Sequence, residues 1–178
     1  DSSGAAYGIS RWKGRFVRLN RSDAAVQAAD TFAFVGPLLS TRAVRELGLP
    51  IKDYFIWFDD VEYSLRMMRH GKRTLAVRDA VIRHDFGKSR TLHFFGWKIR
   101  VAIHAPWKVY YGARNQLYTL TRPQIEWRAV LFYFLSQARM FLRNLIAQPF
   151  KAPLCTWMQL RGFVHGIRGK LGIVVLPS

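Results

Sequence analysis

Two adjacent carboxylates, Asp59 and Asp60, directly follow an aromatic run and are the strongest candidates for catalysis in this sequence. Adjacent residues on a helix point about 100° apart, so the two carboxylates cannot perform the same task. One can cap the helix that begins here while the other faces a cleft. An ionised carboxylate at a helix N-terminus is stabilised by unpaired N–H groups and by the helix dipole. We therefore predict a carboxylate that is charged at neutral pH, as a general base must be.

A structural role competes with this hypothesis at the same residues. Asp59 followed three positions later by Glu62 has the spacing of a capping box, in which the two side chains satisfy free N–H groups. Glu62 is then either the capping partner or a contact to a bound substrate. The context favours chemistry, because Trp57 precedes the pair and His84 follows Asp60 by 24 residues at the end of a predicted strand.

The elements that must position these residues belong to an α/β fold. Hydrophobic periodicity and turn residues predict a strand at 31–35, a helix at 40–47, an aromatic strand at 54–58, a helix from 59 to about 70 and a strand at 74–83. Glycines and a basic cluster interrupt the first 30 residues, which we therefore expect to be irregular.

Helix ends and helix faces can also be predicted from the sequence. Ser40 is the expected N-cap of the first helix, and Gly48 and Gly71 are the expected ends of the two helices. Helical spacing also places three apolar residues of the second helix on one face that we expect to be buried: Val61, Leu65 and Met68.

Composition and charge limit the class of protein. The chain has 178 residues, 50% of them hydrophobic, with 28 basic and 11 acidic side chains and a formal net charge of +17. So basic a chain is expected to meet an anionic partner, which is nucleic acid, an acidic membrane surface or a phosphorylated substrate. The one cysteine, Cys155, excludes an internal disulfide and a multi-cysteine metal cage.

The character of the sequence changes near residues 105–106. Residues 106–178 carry ten basic side chains and one acidic side chain, Glu126, and they are predicted to be helical at 107–120 and 124–147. We therefore predict two domains, 1–105 and 106–178. The second domain ends in a basic, apolar tail at 151–178 that is punctuated by glycines.

The helix predicted at 124–147 has two different faces. Arg128, Arg139 and Arg143 lie on one side, and a broad apolar arc covers the opposite side. Under one interpretation the helix lies in the plane of a membrane, where the arginines meet anionic headgroups. Under the other, the apolar arc is a core contact with the rest of the protein or with another subunit, as apolar helical stripes usually are. The excess of basic over acidic side chains favours the membrane interpretation. Association of the chain into a homo-oligomer is kept as an alternative.

Several short segments of the chain are together similar to one enzyme family. They are residues 34–40, 48–50, 55–63 and 80–84, Arg66 with Gly71, and Tyr110-Tyr111 with Arg114-Asn115. The pattern Trp-x-Asp-Asp-x-Glu-Tyr with a later histidine is the most specific of them. These segments span roughly residues 31–120 and resemble the acceptor-side half of the family 2 glycosyltransferases, closest to the rhamnosyltransferase and galactofuranosyltransferase branch. The resemblance implies an α/β fold that is a partial GT-A domain, with a mixed sheet and helices, followed by a C-terminal helical region.

The resemblance also implies a role for each matching residue. Asp60 would be the general base that deprotonates the acceptor hydroxyl as its oxygen attacks the anomeric carbon with inversion. Asp59 would orient the acceptor sugar, Trp57 would stack on a sugar ring, and Glu62 would contact the acceptor if it is not a cap. His84 would be a ligand of a divalent cation, Mn²⁺ or Mg²⁺, that offsets the charge on the leaving diphosphate.

Partners and location follow from the same resemblance. The turn at Gly36 would lie near the acceptor site, and Arg83 and Lys88 either meet the diphosphate or belong to a solvated basic loop. The implied partners are a nucleotide-sugar donor and a glycan or lipid-linked acceptor in cell-surface polysaccharide synthesis. The implied location is the cytoplasmic face of the inner membrane, where the protein would be peripheral.

The chain departs from the family before residue 31. It has there neither a nucleotide-binding strand nor an Asp-x-Asp metal motif, so we expect the chain by itself to lack transferase activity. Two alternatives stay open. One is a catalytically inactive fragment that associates with a membrane or a partner. The other is a basic nucleic-acid-binding protein, against which stands the lack of a zinc-knuckle, RRM or KH signature in the sequence.

Overall fold

The computed structural model describes residues 7–10, 15–18, 25–80, 82, 89–94, 97–122 and 127–177. Within these residues the protein is mixed α/β, with five α-helices and three two-stranded antiparallel sheets. The chain divides into two compact units. The first consists of Asp1–Ile51 and Asp59–Phe86, and the second consists of Lys52–Phe58 and Gly87–Ser178. The domain boundary predicted at residues 105–106 falls inside the second unit.

The strands of the first unit form two separate antiparallel pairs. β1 (Tyr7–Ser10) pairs with β2 (Arg15–Arg18), and β3 (Val26–Ala29) pairs with β4 (Thr74–Val77). The prediction that the first 30 residues are irregular is therefore wrong. Ile9, Phe16 and Val17 favour extended structure strongly enough to form a strand pair despite the neighbouring glycines.

Two strands predicted for the first unit are corrected by the structure. The strand at 31–35 is not formed, because Thr31 makes a single bridge and the N–H of Phe32 donates to the Oγ of Ser64 at 3.2 Å. A backbone donor used by a side chain is lost to a strand ladder. The strand predicted at 74–83 is shorter than expected, since β4 ends at Val77 and a turn follows.

The helices of the first unit, α1 (Thr41–Leu47) and α2 (Asp59–Arg69), confirm the helices predicted at 40–47 and from 59. Gly48 and Gly71 have φ angles of 78° and 68°, a left-handed conformation in which glycine ends a helix without a Cβ penalty. Ser40 occupies the N-cap position of α1, but its side chain makes no capping hydrogen bond.

The buried face of α2 is not the one predicted from Val61, Leu65 and Met68. Tyr63 is buried, whereas Met68 is 45% exposed. The hydroxyl of Tyr63 donates to the carbonyl oxygen of Gly48 at 2.9 Å and thereby holds α2 against the end of α1. The orientation of α2 therefore follows from a contact with a distant residue and not from its own apolar spacing.

The second unit contains a β-hairpin and three α-helices. β5 (Ser89–Phe94) and β6 (Trp97–Ala102) pair antiparallel, so the described strands do not form the mixed sheet that was predicted. α3 (Pro106–Thr121) and α4 (Trp127–Ala147) confirm the helices predicted at 107–120 and 124–147. The tail predicted at 151–178 contains a further helix, α5 (Ala152–Arg168). None of the described helices has both the length and the apolar character needed to cross a bilayer.

α3 forms the core of the second unit, because most of its residues are buried. α5 approaches it closely at two glycines. A Cβ atom on Gly162 would lie 2.5 Å from the carbonyl oxygen of Tyr110, and one on Gly166 would lie 2.9 Å from that of Arg114. Two of the four glycines that punctuate the tail in the sequence are thus the positions where two helix backbones come too close for a side chain.

Candidate functional site

Asp59 and Asp60 lie in the first turn of α2, and both are half-buried. The Oδ1 atom of Asp60 accepts a hydrogen bond from the N–H of Val61 at 2.8 Å. Burial raises the pKa of the Asp60 carboxyl group above its ordinary value, and the neighbouring charge of Asp59 adds to the rise. The N–H groups of Val61 and Phe34 act in the opposite direction without reversing it.

The direction of this pKa shift is opposite to the effect of a helix N-terminus, which favours the ionised carboxylate. The expectation that a carboxylate here is charged at neutral pH stays a prediction. Partial removal of the carboxylate from water disfavours its charged form, and this desolvation outweighs the N–H groups around it. A carboxylate with a raised pKa binds a proton more strongly, so it is a better base once ionised. The arrangement thus suits general base catalysis near neutral pH.

Ser64 connects the start of α2 to the loop that precedes α1. Its hydroxyl donates to the carbonyl oxygen of Asp60 at 2.7 Å and accepts from the N–H of Phe32 at 3.2 Å. The ring of Phe34 lies against that of Tyr63, with centroids 6.0 Å apart. These contacts bring the loop to the first turn of α2, where the N–H of Phe34 reaches the Asp60 carboxylate.

Glu62 is held by Arg66, one turn later on α2. Its Oε1 and Oε2 atoms accept from Nε and Nη2 of Arg66 at 3.0 and 2.8 Å. The Nη1 atom of Arg66 donates to the carbonyl oxygen of Leu47 at 2.8 Å. Glu62 therefore forms an ion pair with Arg66 in place of the capping box predicted with Asp59. Through Arg66 this pair ties α2 to the end of α1. The predicted contact of Glu62 with an acceptor stays a prediction.

Gly36 lies in a bend of the first unit and has a φ angle of 72°. A Cβ atom at this position would overlap the Cδ1 atom of Ile82. Glycine is therefore required both by the left-handed backbone and by the lack of space. The turn predicted at this residue is confirmed, while its place near an acceptor stays a prediction.

Trp57 belongs to the second unit, where its ring packs against neighbours. It meets the ring of His104 edge-on, with centroids 4.7 Å apart, and a Cβ atom on Gly112 would lie 2.7 Å from its Cε3 atom. Burial, followed by the charges of Arg143 and Lys108, lowers the pKa of His104 to about 4, so the imidazole beside Trp57 is neutral at pH 7. The stacking of Trp57 on a sugar stays a prediction.

The segment that precedes α2 is not the predicted aromatic strand. A short 3₁₀ turn, Lys52–Tyr54, is followed by three residues in the left-handed region, Phe55, Trp57 and Phe58, with φ angles of 66°, 66° and 67°. Such a conformation costs a non-glycine residue on the order of 1–3 kcal/mol. It persists only where the surroundings hold the backbone, and it is typical of functional sites.

Asn115 of α3, whose side chain is fully buried, holds this segment. Its Nδ2 atom donates to the carbonyl oxygens of Tyr54, Ile56 and Trp57 at 3.0, 2.9 and 2.8 Å. An amide nitrogen has two hydrogens, so one hydrogen is shared between two of these three acceptors. The segment at 52–58 that Asn115 holds ends at Phe58, directly before Asp59.

Arg114, also fully buried, completes what we name the carbonyl clamp, which consists of Arg114 and Asn115. Its guanidinium donates to four oxygens, the carbonyls of Gly172, Asp53 and Tyr54 at 2.6, 3.0 and 3.1 Å and the Oδ1 of Asn115 at 2.8 Å. It also lies 4.7 Å from the ring centroid of Tyr111. Within the described residues its charge is met by carbonyl dipoles and aromatic faces and not by a carboxylate.

No role was predicted for the two clamp residues, although both belong to the segments that carry the resemblance. The available signal was a charged and an amide side chain, Arg114 and Asn115, inside an apolar and aromatic helical pattern. Polar groups in a buried helix need hydrogen-bond partners. Their partners could not be identified, because they are backbone carbonyls about 60 residues earlier in the chain.

The predicted metal ligand His84 and the basic residues Arg83 and Lys88 lie outside the described residues. Among the residues that are described, no three His, Cys, Asp or Glu side chains come together in a group that could hold a metal ion. This part of the chain does not offer the oxygen-rich donor set that Mn²⁺ and Mg²⁺ prefer.

Comparison with known proteins gives no match for this chain. No protein-family model matches it, and neither a curated protein nor a solved structure is significantly similar to it. The resemblance to the family 2 glycosyltransferases therefore depends on the motif segments alone.

Proposed function

We propose that this chain is the acceptor-side portion of an inverting glycosyltransferase with a partial GT-A architecture. The observation that carries the proposal is Asp60, a half-buried carboxylate at the start of α2 whose pKa is raised by burial. A second carboxylate, Asp59, lies in the same helical turn. The mixed α/β fold and the strained aromatic segment directly before the two carboxylates support the proposal.

Asp60 acts as the general base in this proposal. Its ionised carboxylate takes the proton of an acceptor hydroxyl, and the hydroxyl oxygen forms a bond to the anomeric carbon of a nucleotide-sugar. The bond between that carbon and the nucleoside diphosphate breaks, and the bonding electrons leave with the diphosphate. Attack from the face opposite the leaving group inverts the configuration of the sugar. The raised pKa of Asp60 assists the first step, because it increases the proton affinity of the base.

Asp59 has a separate task in the proposed reaction. Because it follows Phe58 directly and points away from Asp60, it can accept hydrogen bonds from hydroxyl groups of the acceptor sugar and orient it. The partners required are a nucleotide-sugar donor and a glycan or lipid-linked acceptor. A divalent cation at His84 and a place at the cytoplasmic face of the inner membrane are further proposals from the resemblance.

The proposal is tested by the substitution Asp60→Asn in the natural protein that contains this chain. We would assay transfer from a panel of nucleotide-sugars in the presence of Mn²⁺ or Mg²⁺. Asparagine keeps the shape of the side chain but cannot take the proton, so the rate should fall on the order of 10²–10⁴-fold.

Asp79→Asn is the matched control, because Asp79 belongs to the same unit and its side chain is 77% exposed in the turn after β4. We expect this variant to keep the wild-type rate. Circular dichroism establishes that both variants are folded. Equal rates for Asp60→Asn and the wild type would assign Asp60 a structural role and refute the proposal.

A further inference from the structure

The two C-terminal helices leave large apolar side chains exposed on the sides that face away from α3. From those that are more than half exposed, together with one residue of the connector, we take six and name them the apolar face: Trp127, Leu142 and Ile146 of α4, Phe150 of the connector, and Trp157 and Leu160 of α5. On α4, the residues that pack inward are Tyr133, Asn144 and Ala147, so the apolar arc predicted for this helix is exposed and not the core contact.

The exposed rows of α4 and α5 adjoin each other. The ring of Phe134, which is 52% exposed on α4, lies against the ring of Phe163 on α5, with centroids 6.0 Å apart. Deeper between the helices, Tyr133 stacks on the same Phe163 ring. Apolar side chains beside the apolar face therefore continue from one helix to the next, and continuous exposed apolar surface marks a place of interaction.

The connector between the helices is the most exposed apolar point of this surface. Phe150 lies in the 3₁₀ turn Pro149–Lys151 and is fully exposed. Ile146 before it and Leu154 after it are 63% and 48% exposed, and Lys151 follows Phe150 directly. An apolar ring with a cation beside it suits the boundary between acyl chains and headgroups.

Charge indicates which partner covers the apolar face. Residues 127–178 contain seven basic side chains and no acidic one. Arg128, Arg139, Lys151 and Arg168 are exposed among the apolar residues. A second copy of this chain would place these exposed positive charges opposite like charges. A nucleic acid would meet the cations but would leave the leucine and isoleucine side chains without an apolar partner. A membrane that contains anionic lipid satisfies both parts of the surface.

We propose that α4 and α5 lie in the plane of an anionic lipid surface, with Phe150 and the rest of the apolar face among the acyl chains and the exposed arginines and lysine at the headgroups. α4 has 21 residues, so at 1.5 Å per residue it would lie along about 30 Å of the surface. The inference is independent of the proposed transfer chemistry, because it uses residues of the second unit that take no part in that reaction.

Co-sedimentation of the protein with vesicles tests this inference. One vesicle population is phosphatidylcholine alone, and the other contains phosphatidylglycerol in addition. We expect binding to the second population and much weaker binding to the first. Phe150→Ser should weaken the binding about ten-fold or more, because burial of a large apolar side chain is lost. Replacing Arg128 and Arg139 together by glutamine should also weaken vesicle binding about ten-fold or more. Raising the salt concentration should weaken the binding as well.

Leu38→Ser is the matched control, because Leu38 is a fully exposed apolar residue of the first unit. Its binding should equal that of the wild type. Equal binding to both vesicle populations would overturn the electrostatic part of the inference. Failure to bind either population would overturn the inference as a whole, and concentration-dependent association in analytical ultracentrifugation that Phe150→Ser abolishes would then assign the apolar face to a second copy of the chain.

Discussion

Replacement of Asn115 by alanine tests the carbonyl clamp directly. The substitution removes the amide that donates to the carbonyl oxygens of Tyr54, Ile56 and Trp57, and the oxygen that accepts from Arg114. The carbonyl of Tyr54 keeps the hydrogen bond from Arg114 at 3.1 Å. Four groups therefore lose the bond that Asn115 makes, and three of them do not have the second bond that Tyr54 keeps: the carbonyls of Ile56 and Trp57, and the Nε of Arg114.

The expected loss of stability follows from these three groups. A buried polar group that is left unsatisfied costs about 1–3 kcal/mol. Relaxation of the left-handed residues would return about 1–3 kcal/mol for each residue that relaxes. At the middle of these ranges, three groups cost about 6 kcal/mol and relaxation of one residue returns about 2 kcal/mol. We therefore expect Asn115→Ala to lower the free energy of unfolding of the second unit by about 3–5 kcal/mol, at the upper end of what single substitutions do.

Urea unfolding followed by tryptophan fluorescence measures this loss, because five of the six tryptophans belong to the second unit. Asn144→Ala is the matched control. Asn144 is also buried, but within the described residues its Nδ2 has no partner and its Oδ1 accepts one bond, from Gln148. We expect that control to lose about 1 kcal/mol or less.

The substitution Asn115→Asp separates hydrogen bonding from packing. Aspartate keeps the size of the side chain but presents oxygen atoms to the carbonyls of the segment at 52–58. We expect a loss at least as large as that of Asn115→Ala. Wild-type stability of Asn115→Asp, or equal losses for Asn115→Ala and Asn144→Ala, would refute the reasoning that donated hydrogen bonds hold the strained segment.

Three further predictions concern titration and packing. The folded state holds the proton of Asp60 to a higher pH than the unfolded chain does, so stability falls as pH rises between the unfolded and the folded pKa. Asp60→Asn should remove this fall and be at least as stable as the wild type at neutral pH in urea unfolding, and a less stable variant would contradict the raised pKa. His104 should titrate near pH 4 in an NMR experiment, with stability lost as pH falls from the ordinary histidine pKa of 6.5 towards 4; titration near 6.5 would contradict its burial. Gly162→Ala should lower the melting temperature through an overpacking cost of about 1–3 kcal/mol, since its Cβ would lie 2.5 Å from the backbone oxygen of Tyr110, and an unchanged melting temperature would show that α3 and α5 separate easily.

Local signals in the sequence were sufficient to predict four of the five α-helices in the described residues. α1 begins after the polar residue Ser40, and α2 begins at Asp59. Gly48 and Gly71 follow the two helices, and termination by a glycine with positive φ is a local property of the chain. The periodicity of α3 and α4 was strong enough to predict both. The adjacency of Asp59 and Asp60 at a helix start also followed from the sequence, since it depends only on covalent order and on one local element.

Tertiary structure decided the features that depend on distant partners. Phe55, Trp57 and Phe58 are aromatic residues that favour strands, but Asn115 binds the carbonyls of their segment and holds a left-handed backbone. The C-terminal region was predicted to be helical, but the bounds of α5 were not predicted, because Gly162 disfavours a helix locally and becomes favourable only where α3 approaches it.

The pKa of Asp60 was decided by tertiary structure for the same reason. Its local environment, a helix N-terminus, favours the ionised carboxylate. The loop around Phe34 and the contacts of Ser64 and Tyr63 partly remove that carboxylate from water, and desolvation reverses the direction of the shift. Local sequence determines which groups lie next to one another along the chain, whereas burial depends on segments that meet only when the chain folds.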